Sequence, residues 1–292
     1  MIYYYCCCYQ KGGEMEKFME DKKNKYEENE YKEKMKKIQC TDWLGKPIIF
    51  FDQCDSTNLK LQELAEQGAS QGYVVVCEEQ TKGQGRNGRN WSSPKGEGIF
   101  MSLLLRPDFH PRYASMITLV AALAVYKALE KNGLKELFIK WPNDLVAGGK
   151  KICGILTKMS TNADTIKYVI VGLGINVSQK TFPPEIENIA TSVYLETKEE
   201  KDRMGIIEDV LMAFETYYEQ FIKTKDLSFL KDEYNQKLVH QNAMVRIMEE
   251  GFEKTVKALG INKNGELLVE DAGKIRTIIA GEISVRGIYG YT

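Results

Sequence analysis

Nine consecutive residues, Gly83-Gln84-Gly85-Arg86-Asn87-Gly88-Arg89-Asn90-Trp91, set three glycines and two arginines between apolar runs at Tyr73 to Cys77 and Ile99 to Leu105. Glycine loses the most backbone entropy in a regular element and tolerates φ > 0, so neither run continues through this stretch and the chain must leave the core as a loop. Trp91-Ser92-Ser93-Pro94 follows where a dinucleotide-binding fingerprint would open a helix, and the Gly-Lys-Ser/Thr ending of a Walker loop is missing. Glycine lets main-chain N–H groups come close to an anion, while arginine adds a planar fork of donors matched to phosphate oxygens. The segment reads as a phosphate-handling loop, with an ordinary Gly/Asn/Ser surface loop as the alternative.

Composition narrows the partners. The 292 residues give a prior of about two domains and enough chain for a substantial core. With 40 Lys+Arg against 41 Asp+Glu, the formal charge of -1 offers no bulk electrostatic case for a nucleic-acid partner. Seven cysteines, three of them in the run Cys6, Cys7 and Cys8, form neither a disulfide framework nor CxxC metal spacing, which favours a reducing cytoplasm. The run from Met1 to Tyr9 is too short to span a bilayer, so no membrane partner is expected. The two histidines, His110 and His240, sit in no metal-binding frame, and histidine-based catalysis is not expected.

Along the chain, residues 1–42 read as a charged extension, flexible or helical: from Glu14 to Lys37, sixteen of twenty-four residues are charged and no apolar stripe runs through them. Structured sequence begins near Trp43. Strand-like runs at Pro47 to Phe51, Tyr73 to Cys77, Ile99 to Leu105, Leu137 to Lys140, Ile152 to Met159 and Thr165 to Val177 mix irregularly with helical patterns starting at Ser56-Thr57-Asn58 and over Tyr113 to Lys131, Ile206 to Thr224 and Leu227 to Leu238. That order favours an α+β class, a mixed sheet covered by helices, over residues 43–240. From Ala243 the turn signals Glu249-Glu250-Gly251, Asn262-Lys263-Asn264-Gly265 and Asp271-Ala272-Gly273 crowd together, predicting a small SH3-like β-barrel domain over 241–292.

Two further clusters carry chemistry. In Lys140-Trp141-Pro142-Asn143-Asp144, proline holds Trp141 extended, so Asn143 and Asp144 project from a strand end; a carboxylate beside an amide there can hold Mg²⁺ through water, and a plain β-turn is the alternative. In Lys150-Lys151-Ile152-Cys153-Gly154-Ile155-Leu156, a lysine leads a buried strand and a glycine permits close ligand approach. Simple alternation puts Lys151, Cys153 and Ile155 on one face and Ile152, Gly154 and Leu156 on the other.

Taken in order and spacing, these clusters resemble the biotin-protein ligases over roughly residues 43 to 290, in the form without an N-terminal DNA-binding domain. The residues that carry the resemblance are Cys54-Asp55-Ser56-Thr57-Asn58, Gln80, the glycine loop, Lys140 to Leu145, Lys151 to Leu156, Gly172-Leu173-Gly174-Ile175-Asn176-Val177 and Gly281-Glu282-Ile283-Ser284-Val285-Arg286. The resemblance implies a class II synthetase-like catalytic domain that activates biotin with ATP as biotinyl-5'-AMP and transfers it to a lysine of a biotin carboxyl carrier domain. It implies catalytic roles for Arg86, Lys151 and Asp144, with Asp144 as Mg²⁺ ligand. Biotin is expected against Ser56, Thr57, Asn58, Gln80, Gly83, Gln84, Gly85, Arg86, Lys151 and Gly154, with the two hydroxyls also free to cap the helix. ATP is expected against Arg86, Arg89, Trp91, Asn143, Lys151, Asn176 and Arg286. Members often form homodimers. One departure stands out: many relatives carry arginine where this chain has Gln84.

The nearest competing reading is a lipoate-protein ligase, which shares fold and adenylate chemistry but acts on an acid without a ureido group. A biotin-sensing transcriptional repressor needs a helix-turn-helix of about sixty residues, and residues 1–42 show neither that length nor the periodicity, so no DNA partner is expected. A non-catalytic binding module would not require Arg86, Asp144 and Lys151 together.

Overall fold

The structure, a computed structural model, describes residues 38, 40–249, 252–280 and 284–287, and the charged extension expected at residues 1–42 lies almost wholly outside them, with Cys6, Cys7 and Cys8. Seven strands, β1 (Ile48–Cys54), β2 (Val74–Gln80), β3 (Gly98–Leu105), β4 (Leu137–Lys140), β5 (Asp144–Ala147), β6 (Lys150–Asn162) and β7 (Thr165–Asn176), form one sheet in the order β1-β2-β3-β7-β6-β5-β4. Only β1 and β2 run parallel, and the crossover that a parallel pair needs is helix α1 (Thr57–Glu66). Every residue of β3 is buried, and β7 is buried over most of its length, because both strands lie mid-sheet with helices over them.

Helix α2 (Ala114–Lys131) is apolar nearly all round, as a helix must be when packed on both sides: it lies between the sheet and α4 (Arg203–Thr224). It belongs to the one helical stretch among the described residues long and apolar enough to cross a membrane, Pro111–Lys131, and it serves here as the core helix. Helix α1 covers the other face, where Leu61 and Ala65 pack on Val75, Leu104, Tyr168 and Ile170. Strand β6 shows the two faces: Thr157 Oγ1 meets Thr118 Oγ1 of α2 at 2.8 Å, so its neighbours Leu156 and Lys158 point toward the α1 side.

Glu215 of α4 anchors the start of the described chain. Its carboxylate accepts from the backbone N–H groups of Asp42, Trp43 and Leu44 at 2.6, 3.0 and 2.7 Å. Two short elements, α3 (Val193–Thr197) and β5, fall where no separate element was expected, and the helix expected from Leu227 is shorter, α5 (Lys231–Lys237), reached through a turn closed by Lys231 N–H on Leu227 O at 2.8 Å.

The C-terminal strands, β8 (Met244–Glu249), β9 (Phe252–Ile261), β10 (Leu267–Asp271), β11 (Lys274–Ile278) and β12 (Ser284–Gly287), form an antiparallel sheet in the order β11-β10-β9-β8-β12. Ala272 and Gly273, with φ of 49° and 77°, make the tight β10–β11 turn. Both sheets lie within one compact unit, Gln39–Thr292. Trp141 Nε1, beside the β4–β5 turn, donates to Gly265 O in the β9–β10 turn at 2.9 Å, and Asn235 of α5 binds Ile261 N–H at 2.7 Å.

Candidate functional site

The end of β2, the start of α1, the glycine loop, Asn143 just before β5 and strands β6 and β7 converge on one cleft, and most of the expected site residues line it. Its inner end is polar and fixed. Thr57 donates to Gln80 Oε1 through both its N–H and its hydroxyl, at 2.9 and 3.2 Å, and Gln80 Nε2 donates to Ser93 Oγ at 2.9 Å. Ser102 Oγ lies 2.8 Å from Thr57 Oγ1 and 2.7 Å from Asn58 Oδ1. Ser56 occupies the N-cap position of α1, yet its side chain makes no capping bond: the expected capping role is not used, and the residue lines the cleft. Donors and acceptors so pre-ordered suit a small ring with polar edges of both kinds.

The opposite end carries the charge. Arg86 Nη1 donates to Asn143 Oδ1 at 2.7 Å; Asn143 Nδ2 donates to Asp144 Oδ1 at 2.9 Å; Lys151 Nζ sits 2.7 Å from that same oxygen. One loop cation and one strand cation are thus bridged by an amide and a carboxylate. Simple alternation along β6 does not hold here. The register with β5 passes from Leu145↔Cys153 to Val146↔Lys151, so Ile152 is an extra residue, a β-bulge. It turns Lys151 to the face of Gly154, where the lysine Cε would stand 3.1 Å from a Cβ on that glycine.

Trp91 forms the wall between the two ends. A Cβ on Gly174 would meet its indole at 2.6 Å and one on Gly154 at 2.9 Å, so only glycines admit the ring. Lys151 Nζ lies 5.3 Å from the ring centroid, within cation–π range, and the buried Trp91 Nε1 has no hydrogen-bond partner. Gly172 plays the same part for Asn58, whose amide fills the space of a Cβ. The cleft volume is about 40 Å³. Drug-sized ligands occupy roughly 300 Å³ or more, so the loop or Trp91 must shift for one to enter.

The loop itself is pinned. Gly85 N–H donates to Arg89 O at 2.7 Å, Trp91 N–H to Gly83 O at 2.9 Å, and Asn87 takes a positive φ of 56°. Gln84 and Gly85 line the cleft, while Gly83 is buried behind it, against the Trp91 carbonyl and Ser93. Arg89 is exposed and outside the lining. Asn176 is turned away as well, donating to Thr191 O at 2.9 Å and accepting from Gln179. Arg286 falls in β12, whose side chains lie outside the described set, as do Gly281, Glu282 and Ile283. Reasoning from sequence overlooked Ser93, Ser102 and Lys158, whose amine donates to Gln84 Oε1 at 2.7 Å. Ser102 had a signal: a lone hydroxyl in the apolar run Phe100-Met101-Ser102-Leu103-Leu104.

Residues 50–176 match the Biotin/lipoate A/B protein ligase family and residues 242–286 match the Biotin protein ligase C terminal domain. The Bifunctional ligase/repressor BirA of Bacillus spizizenii is 38% identical over 249 residues, 84% of this chain and 76% of that protein. The chain belongs to the biotin protein ligase family. The Biotin--[acetyl-CoA-carboxylase] ligase of Mycobacterium tuberculosis is a further relative, 30% identical over 79% of this chain and 86% of its own. Among solved structures, the biotin protein ligase from Aquifex aeolicus in complex with biotin and ATP superposes with a TM-score of 0.72 at 32% identity, covering 83% of this chain and 99% of that one. The seven-stranded sheet is the class II synthetase-like fold of the biotin ligases, and the second sheet is their C-terminal domain.

Proposed function

We propose that this biotin ligase joins biotin to ATP, giving biotinyl-5'-AMP and pyrophosphate, and then transfers the biotinyl group to a lysine of a biotin carboxyl carrier domain. The observation that carries the reading is the joining, in one cleft, of the Thr57–Gln80–Asn58 polar end to the Arg86–Asn143–Asp144–Lys151 charged end. In the first step a biotin carboxylate oxygen attacks the α-phosphorus and the bond to pyrophosphate breaks. Two anions must meet, and Arg86 and Lys151 offset their repulsion and hold the charge that grows on the α-phosphate oxygens. In the second step the acceptor amine attacks the acyl carbon, AMP leaves with the electron pair of the C–O bond, and the amine loses its proton. No histidine lines the cleft, so the chemistry rests on positioning and charge.

Ser56, Thr57, Asn58 and Gln80 hold the ureido ring in this reading, Gly83, Gln84, Gly85 and Gly154 shape the path of the acyl chain, and Asn143 holds Arg86 toward the phosphate. Arg89, Trp91, Asn176 and Arg286 belong to the ATP side; for Arg89 and Asn176 this needs a change from the present geometry, because neither lines the cleft. Among the described residues no group of three His, Cys, Asp or Glu side chains can hold a resident metal. A Mg²⁺ carried in on the phosphates needs only one or two protein carboxylates, and Asp144 is the one that fits, once it shares the oxygen now bound to Lys151. Bound there, the ion would neutralise phosphate charge. We assign the acceptor interaction to the cytoplasm, with a homodimer as assembly and no DNA partner; operator binding by the purified chain would overturn the last point.

Biotin-dependent ATP/pyrophosphate exchange tests the reading. The wild type is expected to exchange, with Lys151→Ala and Arg86→Ala slower by about 10²-fold or more. Absence of exchange in the wild type, or equal exchange with lipoate, would overturn it.

A further inference from the structure

Lys158 stands on the α1 side of β6, the face that carries Leu156 and Gly154, and it is half-buried. Its ammonium donates to the side-chain carbonyl of Gln84 at 2.7 Å, joining a rigid strand to the glycine loop across 74 positions of sequence. Among the described residues its ammonium makes this bond and no ion pair. Gln84 is the loop residue between Gly83 and Gly85, whose backbone bonds run within the loop, and its side chain ties this limb to the sheet. Arg86, two residues on, is held to the strand side by Asn143. Two contacts therefore bracket the limb, one at each end.

We infer that Lys158 is a positioning residue: through Gln84 it latches the loop over the cleft and supplies, from the sheet, the positive charge that position 84 itself does not carry. This rests on the ligase reading above, since what the latch retains is the activated acyl-adenylate, whose mixed anhydride water would otherwise hydrolyse. Methionine in place of lysine keeps the length of the side chain and removes the donor and the charge. A tether of one charge-assisted hydrogen bond, partly exposed, sets the scale of effect at roughly threefold to tenfold.

Two measurements on the full chain test the latch separately from the chemistry. In the first, trypsin cleaves the ligand-free protein after Arg86 and Arg89; Lys158→Met and Gln84→Ala are each expected to speed this cleavage by roughly threefold to tenfold, and the double variant no further. In the second, hydrolytic loss of activated biotin is followed without acceptor: both variants should leak faster by a similar factor, exchange by Lys158→Met should stay within about twofold of wild type, and Lys158→Arg should retain the intermediate as wild type does. Unchanged cleavage, or single effects that add in the double variant, overturns the latch. Faster cleavage with unchanged leakage keeps the tether and overturns its role in retention. No exchange in the wild type sinks the ligase reading alone, because the cleavage result does not depend on it.

Discussion

At the scale of single residues, the cleft is built from positions where a side chain is forbidden as much as from those where one is required. Gly172 gives its space to Asn58, and Gly174 and Gly154 give theirs to Trp91. Gly172→Ala is therefore expected to displace the Asn58 amide, costing about 1–3 kcal/mol in thermal unfolding and weakening biotin binding in titration calorimetry. Gly174→Ala moves the indole instead, and should raise the KM for ATP more than that for biotin. Thr57→Val keeps the shape and removes the hydroxyl that Gln80 and Ser102 share. Its expected effect is a rise of about tenfold in the KM for biotin with kcat little changed, read from initial rates. A fall in kcat alone would mean that Thr57 acts in the chemistry. Much of this set was legible in the sequence, because Ser56-Thr57-Asn58 and the glycine loop carry their residue types in an unbroken run. Ser93, Ser102 and Lys158 were not, because a hydroxyl or an amine inside a strand says nothing of what stands beside it until the register is known.

At the scale of elements, the loop and its anchors matter more than the helices. Residues 83–95 are expected to lose protease sensitivity when biotin and ATP are added together, since a cleft of about 40 Å³ must open to admit them and close again. Equal resistance with and without ligand would count against loop closure. Away from the cleft, Glu215 satisfies three backbone N–H groups at the head of the fold. Glu215→Ala should cost about 3 kcal/mol in urea unfolding, with Glu215→Gln costing less because one acceptor remains. Element types were legible wherever a run was long: α2 and β7 follow their patterns closely. Strand β5 was not, because Asp144 to Ala147 is four residues caught between Pro142 and Gly148-Gly149, too short for any period to show. Leu227 to Leu238 misled in the other direction, since helical spacing of its apolar residues survives in a turn that packs them just as well.

At the scale of the whole molecule, the two sheets meet near the charged end of the cleft. Trp141 lies at the turn that presents Asn143 and Asp144, and its indole N–H is held by Gly265 of the second sheet. Trp141→Phe should therefore lower stability by about 1–2 kcal/mol and slow exchange as well, a pairing of effects that a remote core substitution does not show. His240, buried in the segment leading into the second sheet, has its pKa pushed down to about 4, first by burial and then by the nearby charge of Lys140. Because the unfolded chain takes up this proton near pH 6.5 and the folded one does not, its contribution is undisturbed above that pH. As pH falls from 6.5 toward 4 the fold loses up to about 3 kcal/mol, and His240→Gln should flatten that part of the stability curve.

The bulge at Ile152 has a consequence for anyone who rebuilds this protein. Straightening the strand with Ile152 kept, so that Ile152 pairs with Val146, would leave a more regular pattern and every apolar side chain after it unmoved. It would also swing Lys151 through the sheet toward α2, away from the cleft. A designer who smoothed the pattern in that way would keep the fold and lose the lysine from the cleft. The fold and the geometry of the cleft are separately encoded here, and a single phase shift in a two-residue rhythm is enough to part them.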